Sequence, residues 1–187
     1  MYIYMTRHGE SVNNIKNIIG GDCHISERGQ KYNNFLTNYF SSSNSDVSVW
    51  TSELKRTKET AVNISSQPRS WKNLNEIDSG DFDGLVLDNI RTNYPELYRI
   101  RNNDKLNESY PNGESYLDLQ KRVIKVLTKI DMKKNDTLLI VAHQAVCRVI
   151  YSYFTKTPLS DCTDTTIDLH TVYKLSNNKF LPIQSYL

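Results

Sequence analysis

Along this chain of 187 residues the apolar positions follow two rhythms that take turns. Short β-rich runs lie at about 2–6, 46–51 and 136–142, with an edge strand near 69–74 and a late pair near 167–175 and 179–184. Helical spacing fills the gaps. Glu27 to Phe40 follows Ser26 as an N-cap and sets Tyr32, Phe35, Leu36, Tyr39 and Phe40 on one face. Glu53 to Ile64 follows Ser52 in the same way. After Ser115, Asp118 stands in capping-box register, and Leu119, Val123, Val126, Leu127 and Ile130 recur at helical spacing opposite a solvated face of Lys121, Arg122 and Lys125. Gln144 to Phe154 begins just after the apolar run Leu138–Ala142. Strands that alternate with helices predict an α/β fold of three layers, a mostly parallel central sheet flanked by helices.

Residues 80–113 break the rhythm. Two short helical pieces meet at Tyr94-Pro95-Glu96, and an Asn-rich polar stretch runs from Asn102 to Asn112. The segment reads as a small insertion over the sheet edge and the site, where substrate selection would reside. The tract Ser41-Ser42-Ser43-Asn44-Ser45 reads as a connecting loop, and nothing repeats at a fixed period. One domain over 1–187 is the expectation.

Charge narrows the partners. A formal net charge of +2, with 24% charged residues, provides no global field for nucleic acid or an acidic membrane. Any anion must be bound by locally arranged basic groups, so a small anion is expected and a polymer is not. Cys23, Cys147 and Cys162 form no C-x-x-C pair and leave one over, which predicts reduced thiols in a cytoplasmic setting. The first apolar run ends at Arg7, too short for a signal sequence, and Leu138–Ala142 is far below membrane-spanning length. The sequence leaves the oligomeric state open.

Candidate chemistry gathers where strands end. Arg7-His8-Gly9 follows Tyr2-Ile3-Tyr4-Met5, and Thr51–Thr57, Leu74–Gly80 and Ala142–Val146 each follow a strand-like run. Open α/β sheets build their sites at such carboxyl ends. A neutral imidazole held in one tautomer is a competent nucleophile toward phosphorus, which makes His8 the candidate nucleophile. Charge developing on the phosphoryl oxygens needs fixed cations, and Arg7, Arg56 and His143 are candidates for them. Arginine suits this role because its planar fork makes bidentate contacts to phosphate, each charge-assisted bond contributing roughly 1.5–3 kcal/mol. Glu76 would protonate the departing alcohol oxygen, an effect of about 10²–10⁴ in rate.

Rival chemistries lack their residues. No cysteine has an arginine six positions on; Gly9-Glu10-Ser11 and Gly113-Glu114-Ser115 open like nucleophile elbows but close on Asn13 and Leu117. Neither H-E-x-x-H nor a phosphate-binding G-x-x-x-x-G-K-[ST] loop is present. His24 and His170 read as structural, and the tyrosines other than Tyr116 as packing residues.

Arg7-His8-Gly9-Glu10-Ser11 with Asn14, Arg56-Thr57, Glu76 and His143 resembles the histidine phosphatase, or phosphoglycerate mutase-like, superfamily. Longer runs are similar to the bisphosphatase domain of the bifunctional 6-phosphofructo-2-kinase/fructose-2,6-bisphosphatases. They are Ile19-Gly20-Gly21-Asp22, Val49–Ser52, Leu74–Asp78, Tyr110–Tyr116, His143–Arg148 and Leu169–Val172. The resemblance implies a phosphoglycerate mutase-like fold and a covalent phosphohistidine at His8. It also implies a phosphoryl group held by Arg7, Arg56, Asn14 and His143, with Glu76 as acid and then base, and neither metal nor cofactor. The sugar phosphate would be gripped by Arg101, Lys105, Tyr116, Gln144 and Arg148, and lined by the backbone at Ile19 and Gly20. Two departures stand out. Leu87 occupies the place of a substrate-contacting tyrosine, a loss of about 0.5–1.5 kcal/mol, and no kinase half is expected. The implied activity is hydrolysis of the 2-phosphate of fructose 2,6-bisphosphate. The alternatives are a broader phosphomonoesterase, a phosphoglycerate mutase, or a non-catalytic regulator that binds a phosphorylated ligand.

Overall fold

The computed structural model of the protein describes residues 2–41, 47–131, 137–176 and 179–186. Its strands are β1 (Tyr2–Arg7), β2 (Val47–Thr51), β3 (Arg69–Ser70), β4 (Thr137–Ala142), β5 (Thr171–Ser176) and β6 (Lys179–Ser185). They form one sheet in the order β3-β2-β4-β1-β5-β6. The first four run parallel, whereas β5 is antiparallel to β1 and β6 to β5, so the sheet is mixed. Helices are α1 (Val12–Ile15), α2 (Glu27–Ser41), α3 (Lys55–Ala61), α4 (Leu87–Asn93), α5 (Pro95–Asn103), α6 (Tyr116–Leu127), α7 (Gln144–Thr155) and α8 (Leu159–Cys162).

Alternation along the central strands explains the layers. Ile3, Met5, Leu138, Ile140 and Ala142 face a core shared with α6 and α7, which contribute Leu119, Val123, Val146 and Ile150. Leu139 and Val141 face the opposite side, against Tyr32, Leu36 and Phe40 of α2 and Ala61 of α3. With both faces covered, every residue of β4 is buried, as the unbroken apolar run Leu138–Ala142 requires.

Several expected elements are trimmed for identifiable reasons. The edge strand stops after Ser70, because a 3-10 turn at Lys72–Leu74 swings Leu74 into the core beneath α6. Helix α3 starts at Lys55 rather than Glu53, with Leu54 as its N-cap; the Ser52 hydroxyl accepts from Leu54 N at 3.1 Å and also meets His143 and Thr57, and the left-handed Asn63 lies just beyond the helix end. The late pair begins at Thr171, after His170 in a left-handed conformation. The insertion contains a 3-10 turn at Gly80–Phe82 followed by α4 and α5, which Tyr94 separates, with Pro95 opening α5. Ser41 ends α2, and the rest of the expected Ser41–Ser45 loop, with the first residues of the runs at 46 and 136, lies outside the described residues.

Candidate active site

Register brings the strand-end residues level. Arg7 pairs with Ala142, Thr51 pairs with Val141, and the His8 amide donates to the Ala142 carbonyl at 2.9 Å. The loop that follows is pinned on three sides. Gly9 N donates to Thr60 Oγ1 of α3 at 2.8 Å, and Glu10 N to His170 Nε2 at 2.9 Å. At Gly9 a β-carbon would lie 2.8 Å from the Gly29 backbone, so only glycine lets α2 pack directly on the loop.

His8 is buried, and its Nδ1 lies 2.8 Å from the Gly9 carbonyl. A carbonyl only accepts, so Nδ1 carries the proton and Nε2 the lone pair. Burial first, and Arg56 second, push its pKa well below the ordinary imidazole value, which keeps the ring neutral. Arg56 Nη1 donates to Gly21 O at 2.6 Å, and its Nε to His143 Nδ1 at 3.2 Å. His143 in turn donates from Nε2 to Ser52 Oγ at 2.8 Å.

His143, expected as a third cation beside Arg7 and Arg56, is held differently from them. Both of its nitrogens are committed, burial and the Arg56 charge hold its pKa well below the usual value, and it lies one layer behind the cavity wall. In this geometry it orients Arg56. Asn14 caps its own short helix: its Oδ1 accepts from Ser11 N and Oγ, both at 2.9 Å, leaving the amide NH₂ for a ligand. The Glu76 carboxylate accepts from Ile77 N at 2.9 Å and from Ala145 N at 3.3 Å, in the first turn of α7.

A cavity of about 350 Å³ joins these groups to the insertion. Twelve of the thirteen residues expected at the site line it: Arg7, His8, Asn14, Ile19, Gly20, Arg56, Glu76, Arg101, Lys105, Tyr116, Gln144 and Arg148. Arg101 stands just before the polar stretch that opens at Asn102. It is buried in the last turn of α5, its guanidinium 4.6 Å from the Tyr110 ring centroid and 5.7 Å from that of Tyr116. Arg148 Nη1 donates to the Tyr116 hydroxyl at 2.8 Å, and burial pushes that hydroxyl up to about 12. Ile19 lines the cavity, but its main-chain N and O are already paired with Leu85 O and Gly84 N, which leaves its apolar surface for a ligand. Gly20 is left-handed, and a β-carbon there would meet Asp83 Oδ1 at 1.8 Å, so this turn accepts only glycine.

Unmet polar demand points into this cavity. Among the described residues, Arg7 Nε, Arg101 Nε, Gln144 Oε1 and Trp71 Nε1 are buried without a partner, and the first three belong to residues that line it. Arg7, Arg56, Arg101 and Arg148 form no ion pair among the described residues. Burial draws the pKa of Arg7 and Arg101 down, the mark of desolvated cations that an anion would stabilise. Among the described residues no three His, Cys, Asp or Glu side chains converge to hold a metal ion, and no helix is long and apolar enough to cross a membrane.

Sequence reasoning misses two contributors. Tyr110, treated as packing, supplies the ring under Arg101, and its place before Pro111-Asn112-Gly113 is the available signal. Arg122, expected on a solvated face, is largely buried. It clasps Glu114 through Nε and Nη2, each 2.7 Å from a carboxylate oxygen, and donates to the carbonyls of Asn73, Asn75 and Glu76 at 2.7–3.0 Å. The eight-residue spacing of Glu114 and Arg122 hints at such a pair, but the target carbonyls are visible only in three dimensions.

The chain's likeness to known proteins agrees with this geometry. Residues 3–180 match the profile of the histidine phosphatase superfamily (branch 1). Over 93% of its length it is 41% identical to "Fructose-2,6-bisphosphatase" of Saccharomyces cerevisiae and 41% identical to "6-phosphofructo-2-kinase/fructose-2,6-bisphosphatase 3" of Rattus norvegicus. It spans 38% and 31% of those two proteins, about a third of their length. Among solved structures it resembles a putative alpha-ribazole-5'-P phosphatase of Escherichia coli, with a TM-score of 0.85 at 21% identity, covering 99% of this chain and 96% of that one. It also resembles Bacillus stearothermophilus YhfR, with a TM-score of 0.82 at 25% identity, covering 97% and 95%. The profile match runs from β1 through β5 and takes in every residue that lines the cavity, so this chain belongs to the histidine phosphatase superfamily, branch 1.

Proposed function

We propose that the chain hydrolyses the 2-phosphate of fructose 2,6-bisphosphate, releasing fructose 6-phosphate and inorganic phosphate through a phosphohistidine on His8. The observation that carries this reading is the division of the cavity's cations into two groups. Arg7 and Arg56 flank His8, while Arg101 of the insertion and Arg148 of α7 meet at Tyr116 and Lys105 of the insertion lines the same cavity. A ligand with two phosphoryl groups meets both. The names of the relatives that share some 40% of this sequence point to the same substrate.

The residues assign the steps. The Nε2 lone pair of His8 attacks phosphorus, an N–P bond forms, and the bond to the sugar's O2 breaks as Glu76 donates its proton to that oxygen. Glu76 then takes a proton from water as the water oxygen attacks phosphorus. The N–P bond breaks, phosphate leaves, and His8 regains its lone pair. Arg7, Arg56 and the Asn14 amide hold the phosphoryl oxygens as charge develops. Ile77, Phe82, Leu87 and Ile90 give the leaving sugar an apolar wall. The unpaired thiols of Cys23, Cys147 and Cys162 suit a cytoplasmic enzyme.

The test is product release from fructose 2,6-bisphosphate by the purified protein, set beside 3-phosphoglycerate, 2,3-bisphosphoglycerate and an aryl phosphate, with acid-labile labelling followed by rapid quench. Preferential release of fructose 6-phosphate and label on His8 are expected, both lost in His8→Ala with an unchanged circular dichroism spectrum. A wild-type protein that turns over without labelling would overturn the nucleophile. Label with no preference for the sugar would assign the chain as a broader phosphomonoesterase.

A further inference from the structure

The segment from Thr163 to Ile167, between α8 and β5, touches four of the side chains that face the cavity. The Thr163 carbonyl accepts from the Tyr116 hydroxyl at 3.5 Å, the Thr165 carbonyl from Arg148 Nε at 2.7 Å, and the Ile167 carbonyl from Arg7 Nη1 at 2.8 Å. The fourth contact differs in kind. Asp164 sets a carboxylate on the Lys105 ammonium, and its charge also acts on Arg101 and Arg148.

We propose that Asp164 sets the selectivity of this chain for ligands bearing a second phosphoryl group, by acting as a counter-ion on the cations that receive that group. The inference rests on the two-phosphate reading above. Three observations separate a counter-ion from a mere positioning contact. The Asp164 side chain is 72% exposed against 23% for Lys105, and only Lys105 lines the cavity, so the carboxylate caps the ammonium from the solvent side. Neutral carbonyls of the same segment already aim Arg7 and Arg148 and hold the Tyr116 hydroxyl, which shows that orientation here needs no negative charge. The carboxylate's reach to three cations means that a dianionic group placed among them meets its repulsion directly.

The measurement is steady-state kinetics of the whole chain and Asp164→Asn on fructose 2,6-bisphosphate and on a small aryl phosphate. Removing the charge while keeping the shape should lower KM for the bisphosphate about three- to tenfold with little change in kcat, so the kcat/KM ratio of bisphosphate over aryl phosphate rises by that factor. Asp164→Glu, which keeps the charge, should stay near wild type, and the gain in Asp164→Asn should shrink as salt rises. In a Lys105→Met background it should shrink too. An unchanged or raised KM in Asp164→Asn, with the wild type turning over fructose 2,6-bisphosphate, overturns the role of Asp164 alone. Wild-type turnover of the aryl phosphate without preference for the bisphosphate overturns the substrate reading, and this inference with it.

Discussion

At His8 the decisive property is a tautomer. One hydrogen bond from Nδ1 to the neighbouring Gly9 carbonyl leaves the lone pair on Nε2, and burial beside Arg56 keeps the ring unprotonated. The cations around it are likewise held by nameable contacts: Arg7 by the Ile167 carbonyl, Arg56 by the Gly21 carbonyl and His143. Leu87 lines the same cavity, where the resemblance expects a tyrosine. A hydroxyl restored by Leu87→Tyr should lower KM for fructose 2,6-bisphosphate by up to about tenfold, the worth of one neutral hydrogen bond, and leave kcat within about twofold. Competition assays with fructose 6-phosphate would show the same gain; a weaker inhibitor there would mean that the apolar wall itself is what the sugar uses.

Helix α6 illustrates how an element serves the site without lining most of it. Its capping box, Ser115 with Asp118, starts the helix where the sequence places it, and its apolar face packs on α7 and the sheet. The face read as solvated carries Arg122, whose guanidinium binds three main-chain carbonyls of the segment that ends at Glu76. We expect Arg122→Met to lower kcat for a substrate with an alkoxide leaving group by at least about tenfold, because a displaced Glu76 delivers its proton poorly. A nitrophenyl ester, whose leaving group needs no proton, should lose far less. Arg122→Lys should not rescue, since an ammonium cannot span Glu114 and three carbonyls at once. Equal losses on both esters would mean that Arg122 supports the fold and does not aim the acid.

Across the molecule as a whole, buried neutral histidines tie stability to pH. His8 and His143 hold pKa values well below 6.5 in the folded state, chiefly through burial, while the unfolded chain binds protons near the ordinary value. The unfolded state therefore takes up more protons as pH falls below about 6.5, so stability is full above that value and declines beneath it. Each histidine adds a slope of up to about 1.4 kcal/mol per pH unit. Urea unfolding between pH 7 and pH 5 should show this decline, reduced by about one histidine's share in His8→Asn. A flat profile would mean that the rings are protonated in the native protein.

The unbroken apolar runs at Tyr2–Met5 and Leu138–Ala142 were enough to announce a sheet buried on both faces, because side-chain character and burial are local properties that each strand must satisfy alone. The strand-end placement of His8 and His143 was legible for the same reason, since it needs only the strand boundaries, whereas Glu76 sits past a 3-10 turn six residues beyond the end of β3. Tertiary contacts decided what those residues do. His143 meets Arg56 across 87 positions, and Glu10 meets His170 across 160. Arg122 finds the Asn73, Asn75 and Glu76 carbonyls from a helix whose periodicity shows only an exposed charge there, and Asp164 finds Lys105 from the segment between α8 and β5. A hydrophobic pattern states which face turns inward. It does not state which distant group will be waiting there, and a charge takes its role from that partner.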